Sequence, residues 1–168
     1  ESDEFLFVHS GKLVKEKKTS NIFDALRKSD IRCKLIIIGS IPESNRAELE
    51  RMIKNEERCI YLGWKSSDEL RDYLAAADLY LQPGTQSVTM QNALSTGTPI
   101  LIYPHVSYQV FCNGCEFQVR NSEDIRNVFD MIRENPNILL PKSKSAYSIA
   151  REYFDVKRQT KVIYGMVY

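Results

Sequence analysis

No stretch of this 168-residue chain approaches the ~18 consecutive apolar residues that would span a bilayer. Its apolar runs are short, such as LIIIG at 35–39. No secretory leader opens it: ESDEFLFV begins acidic and passes directly into an apolar run, which reads as a segment cut from a longer protein at a domain boundary. An excess of either charge is also missing. Lys and Arg number 23 against 22 Asp and Glu, and a formal net charge of +1 gives no basic footprint for nucleic acid. Cysteine is sparse, at four, and its placement calls for no oxidising compartment, so a cytoplasmic setting is expected. Cys33 and Cys59 sit in apolar runs and read as small buried hydrophobes. Three signatures are absent. Without G-x-G-x-x-G after the first strand, dinucleotide binding has no support; without G-x-x-x-x-G-K-[ST] or G-x-S-x-G, neither a P-loop nor a hydrolase elbow is present.

What remains is a chain of ordinary apolar content, 43%, long enough to bury a core unaided. Short apolar runs alternate with amphipathic stretches. FLFV (5–8), KLIIIG (34–39), CIYLG (59–63), DLYLQP (78–83), TPILIY (98–103) and EFQV (116–119) read as strands, and KLIIIG suits a strand buried on both faces. Between them lie helical patterns. One has Ser20 as N-cap and Ile22, Phe23, Ala25 and Leu26 inward; one follows Pro42 with Leu49, Met52 and Ile53; one opens on a Ser66–Glu69 capping box with Leu70, Tyr73, Leu74 and Ala77 inward. A helix with Met90, Ala93 and Leu94 stops at Gly97, and another, capped by Ser122, carries Ile125, Val128, Phe129 and Ile132 and ends before Pro136. The tail, 143–168, reads as one or two helices. Repeated strand–helix units predict an α/β domain, a Rossmann-like parallel sheet with helices on both faces, over 1–168. In such sheets ligands bind beyond the carboxyl ends of the strands, so the loops to inspect are 9–18, 39–46, 63–67, 83–89 and 104–115.

Two of these loops carry binding chemistry. Lys12, Lys15, Lys17 and Lys18 crowd the end of the first strand, where ammonium groups could hold phosphate as point charges or form a solvated basic loop. In PGTQSVTMQNALSTGTP (83–99), Gln86, Ser87, Val88 and Thr89 fall at a first helical turn, whose unpaired N–H groups favour an anion, and Gln91 could bond ligand hydroxyls. The alternative there is an ordinary N-cap with a solvent-facing Gln. Cys112-Asn-Gly-Cys115 is a single pair with only His105 nearby, so an Asn-Gly turn is favoured over a zinc or redox site. His9 follows the first strand, where a lone His is more often structural.

Together these loops resemble the carboxyl-terminal, donor-binding half of a GT-B glycosyltransferase of the large retaining family four. FVHSGKLVKEKK (7–18) is similar to the family's G-R-L-x-x-x-K-G segment, with Gly11 on the Gly, Lys12 on the Arg and Lys17 on the Lys. KLIIIG is similar to its second strand. YLGWKSSDELRDYLAAADLYLQPG (61–84) matches at Gly63, Asp78 and Pro83, and QNALSTGTPIL (91–101) resembles EAMAxGxPVI. PGTQSVTMQNA is nearest to a capsular or surface-polysaccharide branch carrying P-G-T-x-S.

The resemblance implies transfer of a sugar from a UDP- or GDP-sugar to a growing surface polysaccharide or glycolipid. Lys12 and Lys17 would neutralise the departing diphosphate as the catalytic pair, with no cofactor and no metal. Gly11, Gly63, Trp64, Lys65, Thr85, Gln86, Ser87, Val88, Thr89 and Gln91 would bind the donor. The loop after Gly63 would line the base, and Gln91 would take the place of a ribose-binding Glu. The acceptor domain, amino-terminal in this fold, lies outside the sequence. The stretch 142–168, with six Lys/Arg against Glu152 and Asp155, ends in VIYGMVY (162–168), which could dock on that domain or complete this domain's own core. The protein is expected in the cytoplasm, with peripheral attachment to the inner membrane surface open to the full-length form. The E-x7-E pair of the family is not intact, and Lys for Arg at 12 loses the bidentate fork. A catalytically degenerate, glycosyltransferase-like binding subunit is therefore the alternative.

Overall fold

Strand side chains alternate between two faces, and here both faces are apolar. In the computed structural model, which describes residues 4–167 apart from the side chains of Val110, Met166 and Val167, six parallel strands form one sheet. They are β1 (Phe5–Lys12), β2 (Cys33–Ser40), β3 (Cys59–Tyr61), β4 (Leu79–Gln82), β5 (Ile100–Ile102) and β6 (Glu116–Gln118), in the order β3-β2-β1-β4-β5-β6. Phe7, Leu35, Ile37, Leu79, Leu81 and Leu101 point to one face; Val8, Ile36, Ile38, Tyr80, Ile100 and Ile102 point to the other. That alternation explains the near-continuous apolar strands.

The helices cover the two faces separately. On the first lie α1 (Thr19–Arg27), α2 (Arg46–Lys54) and α5 (Ser122–Glu134), with Ile22, Phe23, Leu26, Leu49, Ile125, Val128, Phe129 and Ile132 in the core. The Phe7 and Phe129 rings stack at 5.1 Å between centroids. On the second lie α3 (Ser67–Ala76), α4 (Thr89–Ser95) and α6 (Leu139–Tyr153), burying Leu74, Met90, Ala93, Leu94, Ala146, Ile149 and Ala150. Each large side chain so buried contributes about 2 kcal/mol of apolar transfer.

Helix starts depart from the expected caps in two places. Lys18, not Ser20, is the N-cap residue of α1: it stands at φ 52°, in the left-handed region, and Ser20 lies inside the first turn. Asn121, not Ser122, caps α5, its side chain accepting the Asp124 N–H. At α1 the left-handed Lys18 ends the short 3-10 turn Lys15–Lys17 and starts the helix ahead of Ser20. The Ser66–Glu69 capping box forms as expected. The strands β3, β4 and β5 are shorter than their apolar runs, and Cys59 is only half-buried. The tail makes two helices with different fates. α6 completes the core, whereas α7 (Val156–Val167) leaves Val156, Ile163 and Tyr164 exposed. Of the expected VIYGMVY face, Tyr168 and the side chains of Met166 and Val167 lie outside the described residues.

The sheet order reverses between β1 and β4. Chain leaving these two strands turns to opposite faces, which opens a crevice at their carboxyl ends. Next to it, the β1 and β2 backbones touch: a Cβ at Gly39 would lie 1.8 Å from the Gly11 carbonyl oxygen, and Gly39 has φ +139°. Gly39→Ala is therefore expected to destabilise the chain by at least about 3 kcal/mol in urea denaturation, since the clash adds to backbone strain; unchanged stability would contradict the packing described.

Candidate functional site

Four strand ends define the crevice: Lys12, Gly39, the turn at Gly63, and Pro83. The β1–α1 loop and the loop after β4 meet there at van der Waals contact. A Cβ at Gly84 would lie 2.0 Å from the Glu16 carbonyl oxygen, and the Thr85 N–H donates to that same oxygen at 3.0 Å. Only glycine allows this approach.

Lys17 locks the junction. Its side chain is 7% exposed, and its Nζ donates to the Thr85 and Gln86 carbonyls, 3.1 Å each. The same amine lies beside Gly11, 3.9 Å from where a Cβ would stand. Burial lowers its pKa from the usual lysine range. The third N–H of Nζ has no partner among the described residues. Lys12, one residue beyond Gly11, is exposed and without a side-chain partner among the described residues. The two lysines are thus unlike: one builds the loop, the other is a free charge at its edge. Lys15 is exposed, and Lys18 places Nζ 4.2 Å from the centre of the Tyr103 ring.

Beneath the loop lies a buried polar layer that composition and spacing did not reveal. His9 is fully buried; its Nδ1 lies 2.7 Å from the Leu81 carbonyl and its Nε2 2.9 Å from Thr19 Oγ1. Desolvation brings its pKa down to about 4, so it is neutral, with Nδ1–H donating to Leu81 and Nε2 accepting from Thr19. The structural expectation for His9 therefore holds. Tyr80, also fully buried, joins its hydroxyl to Ser10 Oγ at 3.2 Å and approaches the Ser87 and Thr89 hydroxyls. Gln82 reaches Thr85 and Tyr108. The signal that could have found these groups was polar residues at positions 9, 10, 80 and 82 within otherwise apolar strands.

The expected donor-binding residues divide. Thr85, Gln86, Ser87, Val88 and Thr89 form the loop, in which Ser87 Oγ accepts the Thr89 N–H at 3.2 Å. The backbone amides of Gln86 and Val88 find no partner among the described residues. Gln91 lines a cleft of about 280 Å³ with Gln86, Ser87, Val88, Tyr108 and Phe111, and its amide makes no hydrogen bond among the described residues. On the far side of the sheet's end, the Gly63 carbonyl accepts the Gly39 N–H at 2.8 Å. Trp64 is 76% exposed, presenting an indole to solvent. Lys65 is less available: its Nζ pairs with Glu69 Oε1 at 3.2 Å, and Glu69, held by Ser66, has its pKa brought down to about 2. Asp78 serves the fold, accepting the Leu6 N–H at 2.8 Å where β1 begins. Cys112 and Cys115 are free thiols, each with a pKa raised by burial, and Gly114 between them turns the chain as an Asn-Gly turn would. Among the described residues, no group of three or more His, Cys, Asp or Glu is placed to hold a metal ion. No described helix is long and apolar enough to cross a membrane.

A doubly wound parallel sheet with a lysine-locked loop at its switch point defines a Rossmann-like α/β domain. The family model for glycosyl transferases group 1 matches residues 1–137, and the chain belongs to that family. No curated protein matches it in sequence. Among solved structures it is similar to Anabaena Alr3699/HepE in complex with UDP and glucose, at TM-score 0.82 and 20% identity, covering 98% of this chain and 48% of that one. The chain thus spans about half the length of that relative. It is also similar to the catalytic domain of cholesterol-alpha-glucosyltransferase from Helicobacter pylori, at TM-score 0.74 and 20% identity over 89% of this chain and 98% of that one. A third is the C-terminal domain of the glycosyl transferase group 1 protein LpcC from Francisella tularensis, at TM-score 0.77 and 14% identity over 90% and 87%. These likenesses establish the GT-B-type Rossmann-like fold.

The neutral His9 gives the domain a measurable pH dependence. An unfolded histidine titrates near 6.5, the folded one at about 4, so below pH ~6.5 the unfolded chain binds the proton first. The His9 contribution is fully present above pH ~6.5 and is lost as pH falls toward 4, by up to about 3 kcal/mol. Urea denaturation of wild type and His9→Gln across that range is expected to show their stability difference shrinking with acidity; a constant difference would contradict a buried neutral ring.

Proposed function

We propose that this domain is the donor-binding half of a retaining, family-four glycosyltransferase. It would hold a UDP- or GDP-sugar while the sugar passes to a growing surface polysaccharide or glycolipid. The observation that carries the reading is the Lys17 ammonium fixed on the Thr85 and Gln86 carbonyls beside the unpaired Gln86 and Val88 amides. Such a loop offers an anion both positive charge and directed N–H donors. A nucleoside diphosphate is the leaving group of this chemistry. Its developing negative charge would be met by Lys12, by the remaining N–H of Lys17 and by the loop amides, with no cofactor or metal taking that role. Gln91, on the cleft wall, would bond ribose hydroxyls, and Trp64 would lie along the base.

Membership of the glycosyl transferases group 1 family supports the reaction class. HepE was solved with UDP-glucose, which supports a sugar-nucleotide donor. The roughly half-length coverage of HepE supports an acceptor domain elsewhere in the full-length protein, and the exposed Val156, Ile163 and Tyr164 of α7 would suit docking against it. We assign the protein to the cytoplasm, with peripheral attachment to the inner membrane surface left open to the full-length form. A second reading, a binding subunit without turnover, is favoured by one observation: the Gln86 side-chain amide is engaged by Ser107. Sustained turnover of labelled sugar nucleotide by the full-length protein would eliminate it.

Calorimetric titration of UDP and GDP separates the two lysines. Lys12→Ala is expected to lower affinity about tenfold, the scale of one charge-assisted bond, while leaving stability within about 0.5 kcal/mol. Lys17→Met is expected to lower affinity and also to cost about 1–3 kcal/mol of stability, because two carbonyls lose their donor. Unchanged affinity in a Lys12→Ala/Lys17→Ala double variant would reject the phosphate role.

A further inference from the structure

The loop after β4 is gripped from two sides, and the second grip comes from a segment with no assigned role. Gln82, at the end of β4, is fully buried, and its Nε2 lies 3.1 Å from the Thr85 carbonyl oxygen. A carbonyl oxygen only accepts, so it fixes which way the Gln82 amide faces. The second N–H of Nε2 then goes to the Tyr108 hydroxyl. The Ser87 backbone amide approaches the same hydroxyl, and burial raises the Tyr108 pKa, which keeps the phenol neutral. The preceding residue, Ser107, accepts a hydrogen bond at Oγ from Gln86 Nε2. One 3-10 helix, Val106–Phe111, therefore reaches Thr85 through Gln82 and Gln86 directly, and brings the Tyr108 hydroxyl near the Ser87 amide.

This grip opposes that of Lys17, which takes the Thr85 and Gln86 carbonyls from the β1–α1 side. An aromatic row joins the two. Lys18 lies over Tyr103, the Tyr103 and His105 rings stand 4.9 Å apart, and His105 meets Tyr108 edge-on at 5.7 Å. Between the grips, the amides of Gln86, Ser87 and Val88 donate no hydrogen bond among the described residues, that of Ser87 lying nearest the Tyr108 hydroxyl.

We propose that Tyr108 and Ser107 are positioning residues for the diphosphate: they set the spacing of the Gln86 and Val88 amides, so that the loop distinguishes a diphosphate from a monophosphate. The proposal rests on the loop being the diphosphate site. Tyr108→Phe removes one oxygen and keeps the ring; Ser107→Ala leaves the buried Gln82 network intact.

The test titrates UDP and UMP into the wild-type chain and both variants, and follows amide hydrogen exchange in the absence of ligand. Wild type is expected to bind UDP more tightly than UMP. Tyr108→Phe is expected to weaken UDP binding about tenfold and UMP binding less than about twofold, on the scale of a lost hydrogen bond. Exchange at the Ser87 and Thr89 amides should quicken about tenfold while β1 and β2 exchange as before. Ser107→Ala should shift the UDP/UMP ratio in the same direction by about threefold, which keeps the test informative should the tyrosine variant fold poorly. An unchanged ratio and unchanged exchange in both variants, with wild type still preferring UDP, would overturn the positioning role and leave the diphosphate reading standing. A wild-type chain with no preference for UDP over UMP would overturn that reading, and this proposal with it.

Discussion

A buried ammonium on two backbone carbonyls organises the functional end of this sheet. Placing Lys17 out of water is costly unless its protons are bonded. The Thr85 and Gln86 carbonyls supply two bonds, and in accepting them the loop after β4 becomes fixed to the β1–α1 turn. Gly84 lets the two backbones meet. That junction sets the position of the loop amides and of the last N–H of Lys17, while Lys12 stands exposed at its edge. The site is thus assembled by non-local pairing, across roughly seventy residues of chain, at the place where the sheet order reverses.

Much of the fold was legible in the sequence because strand burial on two faces leaves a blunt signal. Runs such as KLIIIG and DLYLQP could be little else, and six strands in a parallel α/β arrangement follow from their alternation with amphipathic stretches. Cap residues were less legible. Serine at 20 and 122 has the right chemistry, but the helices start one or two residues earlier, after Lys18 in its left-handed conformation and after Asn121, whose side chain accepts the Asp124 N–H. At the crevice, the lysine loop and the 83–91 stretch, which the structure brings together, could be named from the sequence as neighbouring candidate elements. That Lys17 would be buried and Lys12 exposed could not, since both occupy the same basic run. Nor could the roles of Gln82, Ser107 and Tyr108, which depend on contacts between distant loops and leave no spacing signature.

The distribution of polar groups beneath the loop suggests how rigidity is obtained without regular structure. His9, Tyr80 and Gln82 stand in the central strands β1 and β4, where apolar side chains would pack more cheaply, and each spends its hydrogen bonds on elements that frame the site. The layer is not fully satisfied: the buried Gln82 Oε1 has no hydrogen-bond partner among the described residues, so this network orders the loop at some cost in stability. Tyr80 and Gln82 steady the loop from below, His9 ties β4 to the start of α1, and Lys17 with the Val106–Phe111 segment holds the loop from its sides. The helical tail divides similarly: α6 belongs to this core, whereas α7 keeps an apolar face outside it.

The central claim is that the loop held by Lys17 receives the diphosphate of a sugar nucleotide. Nuclear magnetic resonance of the isotope-labelled chain during UDP addition tests it directly. The account predicts that the largest shifts fall on the Gln86 and Val88 amides and on the Lys12 side chain, with core strand amides unmoved. Saturable UDP binding that leaves those three signals in place would contradict it.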